Sequence, residues 1–184
     1  MTFVSASDIL LSMNNKSHLT AISRKTLSLP SAFLAYDLGV IPAHGEGKSG
    51  LDFGCGKGQD ASFLAFDKYD PHFFPNLPDK KYDLILCNYV LNVVGEDEGQ
   101  EIINQISLLL KPTGTAFITV RRDVKVDGFT AKGTYQRNVV LDLPVVRETS
   151  TYCIYKLSKT SSPQGLNKSK KFLSEQFEFG NLGA

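Results

Sequence analysis

The sequence has little of several features that mark specialised classes of protein. Its 184 residues include only three cysteines, far apart and without C-x-x-C spacing, which argues against a disulfide framework and against a zinc site. No run approaches the roughly 18 apolar residues of a membrane span, and no basic segment followed by a long apolar stretch opens the chain. We therefore expect a soluble protein in a reducing, cytoplasmic compartment, with no bound metal and no membrane partner.

The chain also lacks an excess of charge of either sign, since 20 Lys and Arg residues stand against 19 Asp and Glu residues. A net charge of +1 gives no overall attraction to nucleic acid or to an anionic membrane, so any basic patch must be local. Hydrophobic residues make up 42% of the chain, which is enough for a sizeable core in one domain of ordinary size.

The most informative segment is LDFGCGKGQD at residues 51–60, where three glycines alternate directly after a short apolar run. A glycine-rich turn at the carboxyl end of a parallel strand is the usual ligand crevice of an open α/β sheet, because glycine lets a ligand approach the backbone N–H groups. The spacing G-x-G-x-G differs from the dinucleotide fingerprint G-x-G-x-x-G and from the phosphate loop G-x-x-x-x-G-K-[ST]. The segment therefore favours a nucleoside ligand without phosphates, with a merely tight turn as the alternative.

Strand and helix patterns alternate along the rest of the chain. Strands are predicted at residues 50–53, 82–87 and 115–121. There are two further candidates, one in NVVLDL with PVVRE and one in TYCIYKL. Helices are predicted at residues 5–14, 30–38 and 98–111, the last ending at Lys111-Pro112. The alternation predicts a mostly parallel sheet with helices on both faces. TYCIYKL has apolar residues on both alternating sets, which predicts an antiparallel strand buried on both faces, paired with the preceding segment near one edge.

Three motifs in this order resemble the class I S-adenosylmethionine-dependent methyltransferases. LDFGCGKG is similar to their first motif, YDLILCNYVLNVV to the segment of the fourth strand, and LLKPTGTAFITV to the approach to the fifth strand, with Thr113 in place of a glycine. The resemblance covers roughly residues 20 to 157 and implies a Rossmann-like fold with S-adenosyl-L-methionine as the cofactor. More narrowly, TAISRKTLSLP, YDP and YVLNVV resemble bacterial and phage methyltransferases of the DNA-phosphorothioation-associated type.

We expect three parts along the chain. Residues 1–45 would form a helical cap on the substrate side, residues 46–157 the Rossmann-like core, and the polar residues 158–184 a mobile tail.

The resemblance implies a set of cofactor-binding residues. Asp52 would lie near the methionine amino group of the cofactor. The cofactor would approach the backbone at three glycines, Gly54, Gly56 and Gly58. The acid that binds both ribose hydroxyls would be Asp70, with Asp67 as the alternative, because a carboxylate is an acceptor only. Only twelve positions lead from Gly58 to Asp70, so the first crossover helix must be very short or replaced by a turn.

Asn88 and Tyr89 stand where the methyltransferases that act on adenine amines carry N-P-P-Y or D-P-P-Y. Both prolines are missing here, so an exocyclic-amine mechanism does not transfer. The two residues are candidates to flank the adenine or the methyl group, and a strand-terminal Asn with a core Tyr is the alternative.

Basic and aromatic residues are the candidates for the substrate side of the site. Such side chains can hold a phosphate backbone and stack a base, or they can form a solvated rim. His72 is also a candidate base. The substrate-side candidates are His18, Arg24, His72, Tyr135 and Arg137. The methyl acceptor stays open, with nucleic acid among the possibilities, and so does the oligomeric state.

Three functions compete at this point. The favoured function is an active methyltransferase. The short crossover motivates a non-catalytic S-adenosylmethionine- or nucleoside-binding regulatory module, and the glycines alone motivate an NAD-dependent oxidoreductase.

Overall fold

The computed structural model describes residues 16–41 and 47–159. Its strands are β1 (Gly50–Phe53), β2 (Asp67–Tyr69), β3 (Tyr82–Asn88), β4 (Leu110–Arg121), β5 (Gly128–Phe129), β6 (Tyr135–Gln136), β7 (Val145–Glu148) and β8 (Tyr152–Ser158). Six of them form the central sheet in the order β2-β1-β3-β4-β8-β7, and β5 and β6 form a separate antiparallel pair.

The first four strands of the central sheet are parallel, since β1 pairs with β2 and β3, and β3 pairs with β4. β8 lies antiparallel between β4 and β7. This confirms the predicted Rossmann-like class I methyltransferase fold, including its antiparallel C-terminal strand pair. Because β1 to β4 are parallel, their carboxyl ends all meet at one edge of the sheet, where open α/β sheets bind ligands.

Three α-helices accompany the sheet: α1 (Leu29–Ala32, continued by a π-helical turn over Phe33–Asp37), α2 (Gln59–Leu64) and α3 (Glu96–Leu109). α1 precedes β1 in the chain, and the other two lie between strands. α1 begins after Ser28, whose side chain accepts from the Ser31 N–H, and Pro30 suits the first helical turn. α3 begins with three acidic residues that complement the helix dipole. It ends at Leu109, two positions before the predicted end, because Leu110 already pairs with Tyr82 in the sheet.

Helices cover both faces of the sheet, as predicted. On β3, Ile85 and Cys87 belong to the buried cluster that contains Ile106 of α3. The alternate residues Leu84 and Leu86 belong to a second cluster with Leu34, which lies in the π-helical turn that continues α1. Successive side chains of a strand point to opposite faces, so a continuous apolar run supplies both cores. In β8, the four residues 152–155 are all buried, which confirms that this strand is covered on both faces.

The predicted partner strand of β8, NVVLDL with PVVRE, is confirmed only in its second half: β7 pairs with β8, whereas residues 138–143 (NVVLDL) form no strand. Val139 and Leu141 are nevertheless buried. The carbonyl of Val139 accepts a 2.6 Å hydrogen bond from the Arg122 guanidinium, so this alternating segment packs as an irregular loop. The predicted helix at 5–14 and residues 160–184 of the predicted tail at 158–184 lie outside the described residues. At the start of that tail, Ser158 is the last residue of β8, and Lys159 Nζ donates to the carbonyls of Ser107 and Leu110.

No helix within residues 16–41 and 47–159 is long and apolar enough to cross a membrane. The three cysteines, all in this part of the chain, are free thiols.

Candidate functional site

A cleft of about 620 Å³ opens at the carboxyl ends of the parallel strands, within the range of roughly 300 to 1,000 Å³ typical of small-molecule sites. The predicted residues that line it are Asp52, Gly54, Gly56, Asp70, Asn88, Tyr89, His18, Arg24 and His72. Three predicted residues do not line it, namely Gly58, Tyr135 and Arg137. The fold therefore gathers these predicted residues from four separate stretches of the sequence at one site, residues 18–24, 52–56, 70–72 and 88–89.

The loop after β1 requires glycine at two positions that line the cleft. Gly54 and Gly56 have φ angles of 73° and 53°, in the left-handed region that side chains disfavour. A Cβ atom at Gly54 would lie 2.3 Å from Cγ2 of Val90, and one at Gly56 would lie 3.0 Å from Cβ of Ala21. Gly58 also has a positive φ and precedes α2. A Cβ atom added at Gly58 would meet the Lys68 side chain. Gly58 therefore has a structural role behind the cleft, as the residue from which α2 begins.

The first crossover is short, as predicted, because α2 has six residues and β2 begins three positions after its end. A helix of six residues rises about 9 Å, a distance that suits the short strands it joins. Asp70 directly follows β2 and lies at the carboxyl edge, whereas Asp67 begins β2 at the opposite edge. Asp67 is paired with Lys80 at 2.7 Å and accepts a 2.7 Å hydrogen bond from the Tyr82 hydroxyl. Of the two candidate acids, only Asp70 lines the cleft.

The carboxylate of Asp70 joins the loops that follow β1 and β2. Its Oδ2 accepts a 2.9 Å hydrogen bond from the Gly56 N–H. Its Oδ1 accepts from the N–H groups of His72 at 2.9 Å and Phe73 at 3.0 Å. Three backbone donors therefore hold this acid at the entrance of the glycine loop.

Asp52 is a buried acid on β1, only 3% exposed. Its neighbours Leu51 and Phe53 face the α3 core, so alternation turns its side chain to the other face of the sheet. Burial raises the pKa of Asp52 to about 7, and the negative charges of Asp60 and Asp70 add to this, against the Ala61 N–H and the Arg24 charge. A cationic group bound beside Asp52 would relieve this charge repulsion.

Asn88, the last residue of β3, is part of a chain of hydrogen bonds. Its Oδ1 accepts from the Thr119 hydroxyl at 2.7 Å, and its Nδ2 donates to Oγ of Ser31 at 3.0 Å. Ser31 Oγ donates in turn to Oδ2 of Asp60 at 2.7 Å. The chain links β4, β3, α1 and α2, so the amide of Asn88 has a fixed orientation at the cleft.

Tyr89 has a φ of 64°, which is uncommon for a residue other than glycine. Its N–H donates a 2.8 Å hydrogen bond to the carbonyl of Thr119. Burial is the main cause that raises the pKa of its hydroxyl to about 12, so the hydroxyl is neutral at physiological pH. The turn directs the chain out of β3 with Tyr89 beside the cleft.

Two of the predicted histidines meet across the cleft. His18 lies in a short 3-10 helix (Ser17–Thr20), and His72 follows Asp70. Their rings stack with centroids 4.3 Å apart and an interplanar angle of 18°. The N-terminal segment is therefore in contact with the loop that carries Asp70.

Residues 24–139 match the family model of the methyltransferase domain. This chain belongs to the methyltransferase domain family. A search of curated protein sequences finds no match. A solved complex of DhpI with SAM and HEP is 12% identical, with a TM-score of 0.51 over 84% of this chain and 99% of that chain.

Two further solved structures share the fold of this methyltransferase domain. A DhpI–SAH complex is 13% identical, with a TM-score of 0.52 over 83% of this chain and 97% of that chain. The 1,6-didemethyltoxoflavin-N1-methyltransferase of Burkholderia thailandensis, with bound 1,6-didemethyltoxoflavin and S-adenosylhomocysteine, is 16% identical, with a TM-score of 0.51 over 85% of this chain and 91% of that chain. At these identities the likeness concerns the fold.

The two predicted residues furthest along the chain have other partners in this methyltransferase domain. Tyr135 lies in β6, where its ring meets the Phe129 ring edge-on at 5.5 Å. Nε of Arg137 donates to the carbonyls of Leu91 at 3.2 Å and Val94 at 2.9 Å. Arg137 therefore stabilises the turn that follows β3, and the cleft is lined at this point by Gln136 instead.

Asp60 lines the cleft and is only 7% exposed, but it is not among the site residues predicted from the sequence. Besides Ser31, its carboxylate accepts from the N–H of Ser28 at 2.9 Å and from the Ser28 hydroxyl. The acid lies in the first turn of α2, where acidic residues are common for their effect on the helix dipole. Its serine partners lie about thirty positions earlier in the chain, so no local signal reveals them.

Within residues 16–41 and 47–159, no group of three or more His, Cys, Asp or Glu side chains is placed to hold a metal ion.

Proposed function

We propose that this methyltransferase domain binds S-adenosyl-L-methionine in the cleft and transfers its methyl group to an acceptor. The observation that carries the proposal is the hydrogen bond from the Gly56 N–H to Asp70, which sets a backbone cradle and an acidic acceptor side by side at the carboxyl edge. Three structures with the same fold, two of DhpI and one of the 1,6-didemethyltoxoflavin-N1-methyltransferase of Burkholderia thailandensis, hold SAM or S-adenosylhomocysteine, which supports the proposal.

The residues present fit the chemical groups of this cofactor. A carboxylate offers about four lone-pair positions, so Asp70 keeps acceptor capacity for ribose hydroxyls beside its three backbone donors. Asp52 would take the methionine ammonium, whose positive charge offsets the repulsion from Asp60 and Asp70. The open left-handed turns at Gly54 and Gly56 would let the nucleoside lie against the backbone.

When bound, S-adenosylmethionine supplies a methyl group that its sulfonium already activates, so the protein mainly has to align the acceptor atom. A base is needed only where the acceptor carries a proton that it does not lose unaided. His72 and Tyr89 line the cleft and are the candidates to contact the acceptor. Tyr89 would act as a hydrogen-bond donor, since its hydroxyl keeps its proton.

A nucleic-acid acceptor is the finer form of the proposal. It is supported by the narrower resemblance to the phosphorothioation-associated methyltransferases and by basic residues at the cleft, Arg24, Lys57 and Arg121. Arg121 is already paired with Asp123 at 2.8 Å, which leaves Arg24 and Lys57 as the available cations. A cytoplasmic location stays a prediction.

The test has two stages. Calorimetric titration of the full chain with S-adenosylmethionine, S-adenosylhomocysteine and NAD should show binding of the first two ligands only. Incubation with a methyl-labelled donor and separate pools of DNA, RNA, protein and metabolites should then label one pool. Binding of NAD alone would contradict the proposal, and binding of the two nucleosides without label in any pool would favour the non-catalytic module.

A further inference from the structure

Residues 17–27 form a segment at the entrance of the cleft, and hydrogen bonds from backbone N–H groups fix its two ends. Before it, the Lys16 N–H donates to the carbonyl of Gly133 at 3.2 Å, and after it the Ser28 N–H donates to Asp60 at 2.9 Å. None of the residues 17–27, all of which the structure describes, is buried. A segment without buried side chains has low local stability, so it can open while the rest of the domain stays folded. We call residues 17–27 the entrance segment.

The middle of the entrance segment meets the rest of the domain beside the cleft. The ring of His18 stacks on the ring of His72, with centroids 4.3 Å apart, and Nζ of Lys57 donates a 3.4 Å hydrogen bond to Oγ of Ser23. Both histidines line the cleft. The other residues of the entrance segment that line it are Ser17, Thr20, Ala21, Ile22 and Arg24. The segment therefore forms part of the cleft wall, and its opening would widen the cleft.

His72, in contrast, belongs to a turn with a fixed conformation. Its N–H donates to Oδ1 of Asp70, whose Oδ2 accepts from the Gly56 N–H. Its ring also meets the Phe73 ring edge-on, with centroids 4.7 Å apart. The stack thus joins a segment that has no buried residues, through His18, to the turn that carries the proposed ribose acid.

The charge of the two rings decides whether this stack is favourable. Histidine is the side chain whose ordinary change of charge falls between about pH 5 and pH 8, and solvent reaches both rings because His72 is exposed and His18 is half-buried. Neutral rings can stack, but two unit charges about 4 Å apart repel enough to change an equilibrium roughly fivefold even in water. The stacked arrangement therefore resists the second proton, and by linkage a fall in pH favours the open arrangement.

Other charged groups of both signs surround the pair. The cations on the elements around it are Lys16, Arg24, Lys57, Lys68, Arg121 and Lys132, and the acids are Asp52, Asp60, Asp70 and Asp123. Asp52, whose pKa is about 7, titrates in the same range of pH. All these groups stay in place when one ring of the pair is replaced, so a comparison of variants at each pH isolates the repulsion between the rings.

We propose that the stack of His18 on His72 is a pH-sensitive contact, which holds the entrance segment at the cleft when the rings are neutral and releases it when both are protonated. The contact itself does not depend on which ligand the cleft binds. Its consequence for S-adenosylmethionine rests on the proposed function: acidification would let the cofactor and its product leave the cleft faster. Two residues that the sequence placed on the substrate side thereby have a role at the entrance.

Hydrogen exchange of the full chain without ligand tests the contact directly. From pH 8 to pH 5, the protection of residues 17–27, corrected for the intrinsic exchange rate, should fall about 3- to 10-fold more in the parent than in His18→Phe, whose ring stacks without a charge. His18→Ser, which lacks the ring, should show low protection at both pH values. His44→Phe removes the remaining histidine of the chain and should match the parent.

Dissociation of S-adenosylhomocysteine tests the consequence for the ligand. Surface plasmon resonance on the immobilised full chain gives the dissociation rate at pH 8 and pH 5. Acidification should raise this rate about 3- to 10-fold more in the parent than in His18→Phe, because only the parent gains repulsion between the rings. His18→Ser should release the ligand fast at both pH values.

The outcomes that overturn the proposal are specific. Equal pH dependence of protection in the parent and His18→Phe would refute it, and so would parental protection in His18→Ser at pH 8, since the stack would then hold nothing. Should His18→Phe lose its cooperative thermal unfolding, His72→Phe makes the same comparison with the other ring. A folded parent that does not bind S-adenosylhomocysteine would refute the proposed function, and hydrogen exchange would still decide the pH-sensitive contact.

Discussion

The N–H of Gly56 donates a 2.9 Å hydrogen bond to Oδ2 of Asp70, fourteen positions later in the chain. The bond joins the turn after β1 to the turn after β2 at the edge where the cleft opens. Asp70 therefore has two roles that experiments can separate, since it shapes the glycine loop and is the proposed acceptor for the ribose.

Replacement of Asp70 tests its proposed role against the alternative acid. Asp70→Ala should weaken S-adenosylhomocysteine binding by about 1 to 3 kcal/mol, because the ribose hydroxyls lose a charged acceptor. The variant should still fold, because its freed N–H groups lie near the surface, where water can bind them. Calorimetry gives the affinity and thermal unfolding gives the stability.

The matched control is Asp67→Ala, which removes the same group three positions earlier. Asp67 lies at the amino end of β2 and is paired with the exposed Lys80, so its loss should leave the affinity unchanged. It should cost about 1 to 3 kcal/mol of stability, because the hydroxyl of the buried Tyr82 loses its acceptor. Loss of binding in Asp67→Ala with retention in Asp70→Ala would reverse the assignment.

Replacement of Gly56 tests the close approach of a ligand to the backbone. Gly56→Val should abolish cofactor binding, because its side chain enters the cleft wall beside Ala21. Gly39→Val is the matched control: Gly39 also has a left-handed φ, of 63°, but no atom lies within 4 Å of its Cβ position. Both variants carry the backbone strain, on the order of 1 to 2 kcal/mol, and only Gly56→Val should lose binding in a titration.

Asp52 should make the stability of the free protein depend on pH. Burial and the charge of Asp60 raise its pKa from 3.8 to about 7 in the folded state. The native state therefore holds a proton that the unfolded state releases, and the free energy of unfolding falls as the pH rises from about 4 to about 7. Asp52→Asn should remove this fall and be more stable than the parent at pH 8 by up to about 4 kcal/mol. Urea unfolding at several pH values measures the effect.

Asp67→Asn provides a control of opposite sign for this experiment. Burial opposes the shift, but hydrogen bonds from Lys80 and Tyr82 lower the pKa of Asp67 overall. Its contribution to stability is present at neutral pH and is lost as the pH falls through its lowered folded pKa. The variant should keep the fall of stability between about pH 4 and 7, and a parent whose stability instead rises over this range would contradict the prediction.

The polar contact between α1 and α2 should contribute measurably to stability. Ser31 is fully buried and connects Asp60 with Asn88, so Ser31→Ala should lower the free energy of unfolding by about 1 to 3 kcal/mol. Ser62→Ala removes an exposed hydroxyl that donates to the Gly58 carbonyl at 2.8 Å, and its effect should stay within about 0.5 kcal/mol. Equal effects in chemical unfolding would mean that the buried network adds nothing.

Local patterns were sufficient for most of the fold. The sequence predicts β1 with its observed bounds, Gly50–Phe53, and β8 begins and ends one residue later than the predicted TYCIYKL. The helix from Glu96 to Leu109 followed from its periodic apolar residues. The pattern of residues 138–143 indicates a strand that does not form, because alternating apolar residues indicate burial, and burial does not require that the backbone pair with another strand.

The sequence by itself determined the order of strands and helices, the glycine turn and the need for a very short crossover, because these depend on neighbouring residues and on chain length. Only the tertiary structure decided which side chains meet. It placed Asp70 in the cleft and Asp67 at the other edge, and it joined Asp60 to Ser28 and Ser31. It also left Arg137 outside the cleft lining and Arg24 within it. Such contacts depend on how helices pack on the sheet, and residues that meet in this way share no local pattern in the sequence.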